Sequence, residues 1–145
     1  MLAQTYFKTA LVLTFMGVLF AGYLSAQKLI TNQCAFNESC PYFLGFPACY
    51  YGFGIFLLMF IISVMALLQI EKAGIYKSII LVVSLFGLIF AGQWALPELQ
   101  VLLTSSQKVS YVLGLSSCVY GFFFYLVILI LSVFNLTDEN LLNKY

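Results

Sequence analysis

A chain of 145 residues in which 63% are apolar and only 8% charged lies outside the composition of water-soluble domains, and it reads as an integral membrane protein. Its net charge of +1 comes from six scattered lysines without a single arginine, which excludes the basic face that nucleic-acid binding needs. Histidine is absent, so the commonest general base and the commonest metal ligand are both missing; any catalysis rests on cysteine, tyrosine or a few carboxylates.

Crossing ~30 Å of hydrocarbon takes about 20 apolar residues, and the chain offers four such runs, over residues 8–27, 46–69, 77–96 and 110–134. In the first, Lys8 precedes an apolar run ending Leu24-Ser25-Ala26, an arrangement shared with secretory signals. The run is long for a signal and Leu24 is too bulky for a small-x-small cleavage site, so a helix of the mature fold is expected. The following loop carries Cys34 and Cys40. The second run opens at Leu44-Gly45, and a short link from Glu71 to Lys77 leads into the third. The fourth holds the aromatic stretch Phe122-Phe123-Phe124-Tyr125, and residues 137–145 read as a short solvated tail.

The runs are related in pairs. Residues 44–64 and 113–133 are identical at ten of 21 positions at an offset of 69, including Cys49 with Cys118, Tyr51 with Tyr120, Gly52 with Gly121 and Phe53 with Phe122. Gly17, Phe20, Ala21 and Gly22 recur as Gly87, Phe90, Ala91 and Gly92 at an offset of 70. The expected fold is therefore all-α and membrane-embedded: a single domain, 1–145, forming a four-transmembrane-helix bundle from two parallel helix–loop–helix repeats, 6–70 and 76–136. Small-xxx-small pairs, Gly17 with Ala21, Gly87 with Ala91, Ala48 with Gly52 and Ser117 with Gly121, mark the expected helix interfaces. Lys8, Lys72, Lys77 and Lys144 against Lys28 and Lys108 favour cytoplasmic termini and an exocytoplasmic cysteine loop.

Two readings of each cysteine pair stand. Cys34 and Cys40, with five residues between them, form either a structural disulfide that staples the loop or an exchanging redox pair. Cys49 and Cys118 are either members of a small-residue packing face or a dithiol facing across the repeat axis. Zinc is disfavoured, because neither histidine nor a C-x-x-C spacing is present.

Two cysteines after the first helix, Leu44-Gly45-Phe46-Pro47 opening an aromatic helix at Tyr51-Gly52, and Cys118 at the start of the fourth helix together resemble the bacterial vitamin K epoxide reductase-like proteins. The resemblance implies a quinone-linked thiol oxidoreductase. In it Cys34 and Cys40 take the place of the relay pair, and Cys118 that of the first active-site cysteine. Cys49 is the candidate partner, since the family's second active-site cysteine falls on Gly121. Tyr51, Phe53, Tyr120, Phe122 and Tyr125 are candidate walls for a quinone. The partners so implied are the lipid bilayer and exocytoplasmic thiol proteins. The competing expectation is a non-catalytic four-helix scaffold or binding subunit that associates with other membrane subunits.

Overall fold

The structure, a computed structural model, describes residues 3–32, 41–104 and 116–142. Helix α1 (Ala3–Thr31) is followed by a hairpin of two short strands, β1 (Tyr42–Phe43) and β2 (Phe46–Pro47). Helix α2 (Ala48–Leu68) then leads through a 3-10 turn, Ile70–Lys72, into α3 (Ala73–Thr104), and α4 (Ser117–Leu142) completes the bundle. All four helices are long and apolar enough to cross a membrane. Among the described residues α1 packs chiefly on α2 and α3 on α4, while lighter α2–α3 and α1–α4 contacts close the ring.

The helices outrun the apolar runs. α3 continues through Pro97 to Thr104 instead of ending at 96. Proline's fixed φ is helical, so the helix can continue past it, at the cost of one hydrogen bond and of crowding between the ring and the Gln93 carbonyl. α4 likewise persists to Leu142, so the first part of the expected solvated tail is helical; once preceding turns are formed, each added residue gains a bond at little further cost.

Close packing comes from rings seated in glycine notches. The Phe56 ring lies against Gly17, and a Cβ placed on Gly87 would stand 2.6 Å from the Tyr125 ring. Gly22 faces Phe53 and Gly92 faces Phe122, each 3.3 Å from such a Cβ. The same contact thus occurs twice, at positions separated by the offsets of the sequence duplication. Phe56 and Tyr125 also stack on each other at the bundle centre, centroids 4.4 Å apart and planes 8° from parallel. Buried hydroxyls are satisfied by their own helices: Thr14 donates to the Ala10 carbonyl, Ser63 to Met59 and Ser132 to Ile128, each at 2.8 Å. An apolar surround demands this, because water is not there to take the bond.

At the hairpin end, Leu44 (φ 48°) and Gly45 (φ 86°) form a two-residue turn with both φ positive, the kind that matches the twist of paired strands. The hairpin is tied down from several sides. The Ala48 N–H donates to the Pro41 carbonyl at 2.9 Å, the Tyr51 hydroxyl donates to the Phe43 carbonyl at 3.1 Å, and the Lys28 ammonium lies 5.5 Å from the Tyr42 ring centroid.

The opposite end departs from the expected charge placement. Lys77 is not part of an exposed link; it lies within α3, fully buried, with its ammonium 5.8 Å from the Tyr6 ring centroid. The Tyr6 hydroxyl is hydrogen-bonded to Ser132 at 2.7 Å. Asn135 is also buried, with neither amide atom hydrogen-bonded. At the corresponding positions of the first half stand Phe7 and Ala66, both buried, so the paired segments differ in polarity here.

Candidate functional site

The first residues of α2 and α4 bring Cys49 and Cys118 to one cavity of about 70 Å³ beneath the hairpin. Both carry thiols rather than a disulfide, and both are half-buried. The helix starts are held in place locally: Pro47 precedes α2 with its φ of −65°, while Ser116, ahead of α4, donates its backbone N–H to the Glu98 carboxylate at 3.1 Å. Ser25 of α1 donates to the Cys49 carbonyl at 3.2 Å, fixing the first turn of α2 to its neighbour.

The walls come in matched pairs. Phe20 and Phe90, Ala21 and Ala91, Ala48 and Ser117, Gly52 and Gly121, and Phe56 and Tyr125 all line the cavity alongside the two cysteines. Every pair is separated by 69 or 70 residues. Gly52 and Gly121 have nothing within 4 Å of where a Cβ would be, so the small residues here leave space instead of drawing backbones together. The stacked Phe56 and Tyr125 rings form the floor, and the Tyr125 hydroxyl donates to the Gly52 carbonyl at 3.3 Å. Pro41 and Pro47 of the hairpin segment form part of the roof. Leu24 and Trp94 occupy equivalent places in the two halves, and the Trp94 indole N–H is buried with no hydrogen-bond partner.

The two cysteines singled out in the sequence therefore share a cavity. Cys34 and Cys40 lie outside the described residues; Pro41, at the roof, is the residue that follows Cys40. Of the aromatic candidates, Tyr125 alone lines the cavity. Phe53 and Phe122 are spent on the notches at Gly22 and Gly92, Tyr120 meets Phe20 edge-on at 5.9 Å, and Tyr51 joins Phe43 and Phe90 in an aromatic cluster. The residues missed by sequence reasoning are Phe56 and Trp94. The duplication could have found Phe56, because it stands at the place of Tyr125 one half earlier; Trp94 carries no such signal, since its mate is Leu24.

Chemically, the cavity offers two thiols, the Ser117 hydroxyl, one phenol and one indole in otherwise apolar surroundings. Its volume admits water-sized occupants but falls well below the about 150 Å³ of an engineered apolar cavity that binds benzene. Fold and site together define an apolar four-helix bundle with a paired-thiol cavity at one end. No family model, curated protein or solved structure matches the chain.

Proposed function

We propose that this is an integral membrane thiol oxidoreductase of the vitamin K epoxide reductase-like kind, in which Cys49 and Cys118 are the buried redox pair and a quinone is the electron acceptor. The observation that carries the reading is that the only two cysteines among the described residues, placed 69 apart in sequence, line the same small cavity. Two equivalent helix–loop–helix halves, related by an axis through that cavity, account for the matched walls and the doubled glycine notches. The hairpin end faces the exocytoplasmic side, and both termini are cytoplasmic.

In the reaction, two S–H bonds break and one Cys49–Cys118 S–S bond forms; the two electrons pass to the quinone ring and the two protons to its oxygens, giving the hydroquinone. Thiol–disulfide exchange with a Cys34/Cys40 dithiol then restores the inner thiols and leaves Cys34–Cys40 oxidised, ready to oxidise a partner protein's dithiol. The absent C-x-x-C is replaced by two cysteines from different helices, brought together by the duplication.

A bridge requires Cα atoms within about 7 Å, so bridge formation is the decisive measurement. Reduced protein in detergent is mixed with a short-chain quinone, and its cysteines are mapped by mass spectrometry under non-reducing conditions. A Cys49–Cys118 disulfide, formed with one hydroquinone released and lost in Cys49→Ser and in Cys118→Ser, is the expected result. Thiols that stay reduced while the quinone is unchanged would leave the second reading: a non-catalytic membrane scaffold in which both cysteines are small apolar packing residues. The observation favouring that reading is the small-residue face they share with Ala48, Gly52, Ser117 and Gly121.

A further inference from the structure

We infer that the cavity beneath the hairpin binds a soft monovalent cation of the copper(I) class, held in a line between the sulfurs of Cys49 and Cys118. The observations that carry it are the meeting of the two thiols in one small space and their places in their helices, so it holds whether or not the pair passes electrons to a quinone.

Cys49 is the second residue of α2 and Cys118 the second residue of α4. Both line a cavity of about 70 Å³, which has room for an ion. That room is kept on the same helix faces three residues on, where Gly52 and Gly121 have nothing within 4 Å of where a Cβ would be. The sulfurs of a disulfide stand about 2 Å apart and leave no space between them. Two metal–sulfur bonds of about 2.3 Å in a line hold the sulfurs about twice as far apart, so an ion bridges a separation that a disulfide could span only by drawing the helices together.

The donor set selects the ion. Thiolate is a soft ligand, and the other walls of the cavity supply neither imidazole nor carboxylate. Among the described residues no group of three or more histidine, cysteine, aspartate or glutamate side chains could hold a metal, so a zinc tetrahedron would go incomplete. Calcium and magnesium call for about six oxygens, which these apolar walls lack. A soft monovalent ion is satisfied by two thiolates. Charge points the same way. On binding, two S–H bonds break, two metal–sulfur bonds form and two protons leave to water, so a singly charged cation between two thiolates leaves one net negative charge. Burying that charge in apolar surroundings is costly. The cysteines, however, sit in the first turns of two helices, and each helix N-terminus is equivalent to roughly half a positive charge. Together α2 and α4 offset about one negative charge, which the complex of a monovalent ion carries and that of a divalent ion does not.

The test uses the full chain in detergent, reduced and free of oxygen, carrying Cys34→Ser and Cys40→Ser so that the inner pair holds its only thiols. Copper(I) is supplied as its bicinchoninate complex, whose colour fades as the protein withdraws the metal. Uptake of one copper per chain is expected, with two sulfur neighbours in the copper X-ray absorption spectrum. Adding Cys49→Ser or Cys118→Ser is expected to abolish the uptake while helical circular dichroism and Tm are kept. With both inner cysteines present, bound copper(I) is expected to stop their alkylation by a small maleimide, and zinc(II) at the same concentration to leave it unchanged; this readout does not depend on how the serine variants fold. No uptake from bicinchoninate, uptake that survives the loss of either cysteine, or alkylation that zinc(II) blocks as well as copper(I) does would overturn the inference. Copper bound by protein whose inner thiols a quinone does not oxidise would uphold it and count against the quinone reading, whereas a quinone-driven Cys49–Cys118 disulfide without copper uptake would do the reverse.

Discussion

Glycine decides how close the helices come, and it does so at two matched residues. The Phe56 and Tyr125 rings occupy the volume that side chains at Gly17 and Gly87 would need. Their mutual stacking at 4.4 Å leaves neither ring free to retreat without losing the other. Gly17→Ala and Gly87→Ala are therefore each expected to destabilise the bundle by ~1–3 kcal/mol, the usual cost of overpacking a filled core. Thermal unfolding in detergent measures it. Gly52→Ala, where nothing lies within 4 Å of the added Cβ, is the control expected to leave the midpoint nearly unchanged. A lowered midpoint in the control, equal to that of Gly87→Ala, would contradict the notch account.

At the scale of elements, the hairpin covers part of the thiol cavity and is expected to limit access to it. It spans four paired residues joined by Leu44 and Gly45, contributes Pro41 and Pro47 to the roof, and anchors through Phe43 to α2 and α3. Two strands this short are not stable alone, so the turn conformation and the aromatic anchor must both hold. Gly45 has a φ of 86°, which glycine adopts without penalty and other residues adopt at a cost of about 1–2 kcal/mol. Gly45→Val is expected to loosen the roof and raise the rate at which a small maleimide alkylates Cys49 and Cys118 several-fold, with helical circular dichroism unchanged. Equal alkylation rates in wild type and variant would show that the roof does not limit access.

For the whole molecule, the four apolar helices among the described residues are compatible with an integral membrane protein, and the proposed topology puts both ends of the chain on one side of the bilayer. The lysine distribution favours the cytoplasm, although Lys77 carries less weight than its sequence position implies because it is buried against Tyr6. A carboxy-terminal green fluorescent protein fusion is expected to fluoresce and the matching alkaline phosphatase fusion to be inactive in a bacterial host; the reverse pattern would invert the orientation. The two halves are not equivalent in polarity. At the end away from the hairpin, Lys77 and Asn135 stand where the first half has the buried Phe7 and Ala66, so the matched residues gather around the thiol cavity and not here.

Composition and length alone pointed to the class: a surround without water suits helices or closed barrels, which satisfy their own backbone groups, and four apolar runs of about 20 residues selected helices. The duplication also paired Cys49 with Cys118 through ten identities in 21 positions, and the separate match at an offset of 70 marked Gly17 and Gly87 as special. What it left open was whether small residues close an interface or leave a space, because a glycine reads the same in either role. Tertiary packing decided that. Gly17 and Gly87 received rings, while Gly52 and Gly121 were left facing a cavity that the bulk of Phe56 and Tyr125 holds open from below. The burial of Lys77 was likewise invisible in the sequence, since it depends on which neighbouring helix lies opposite.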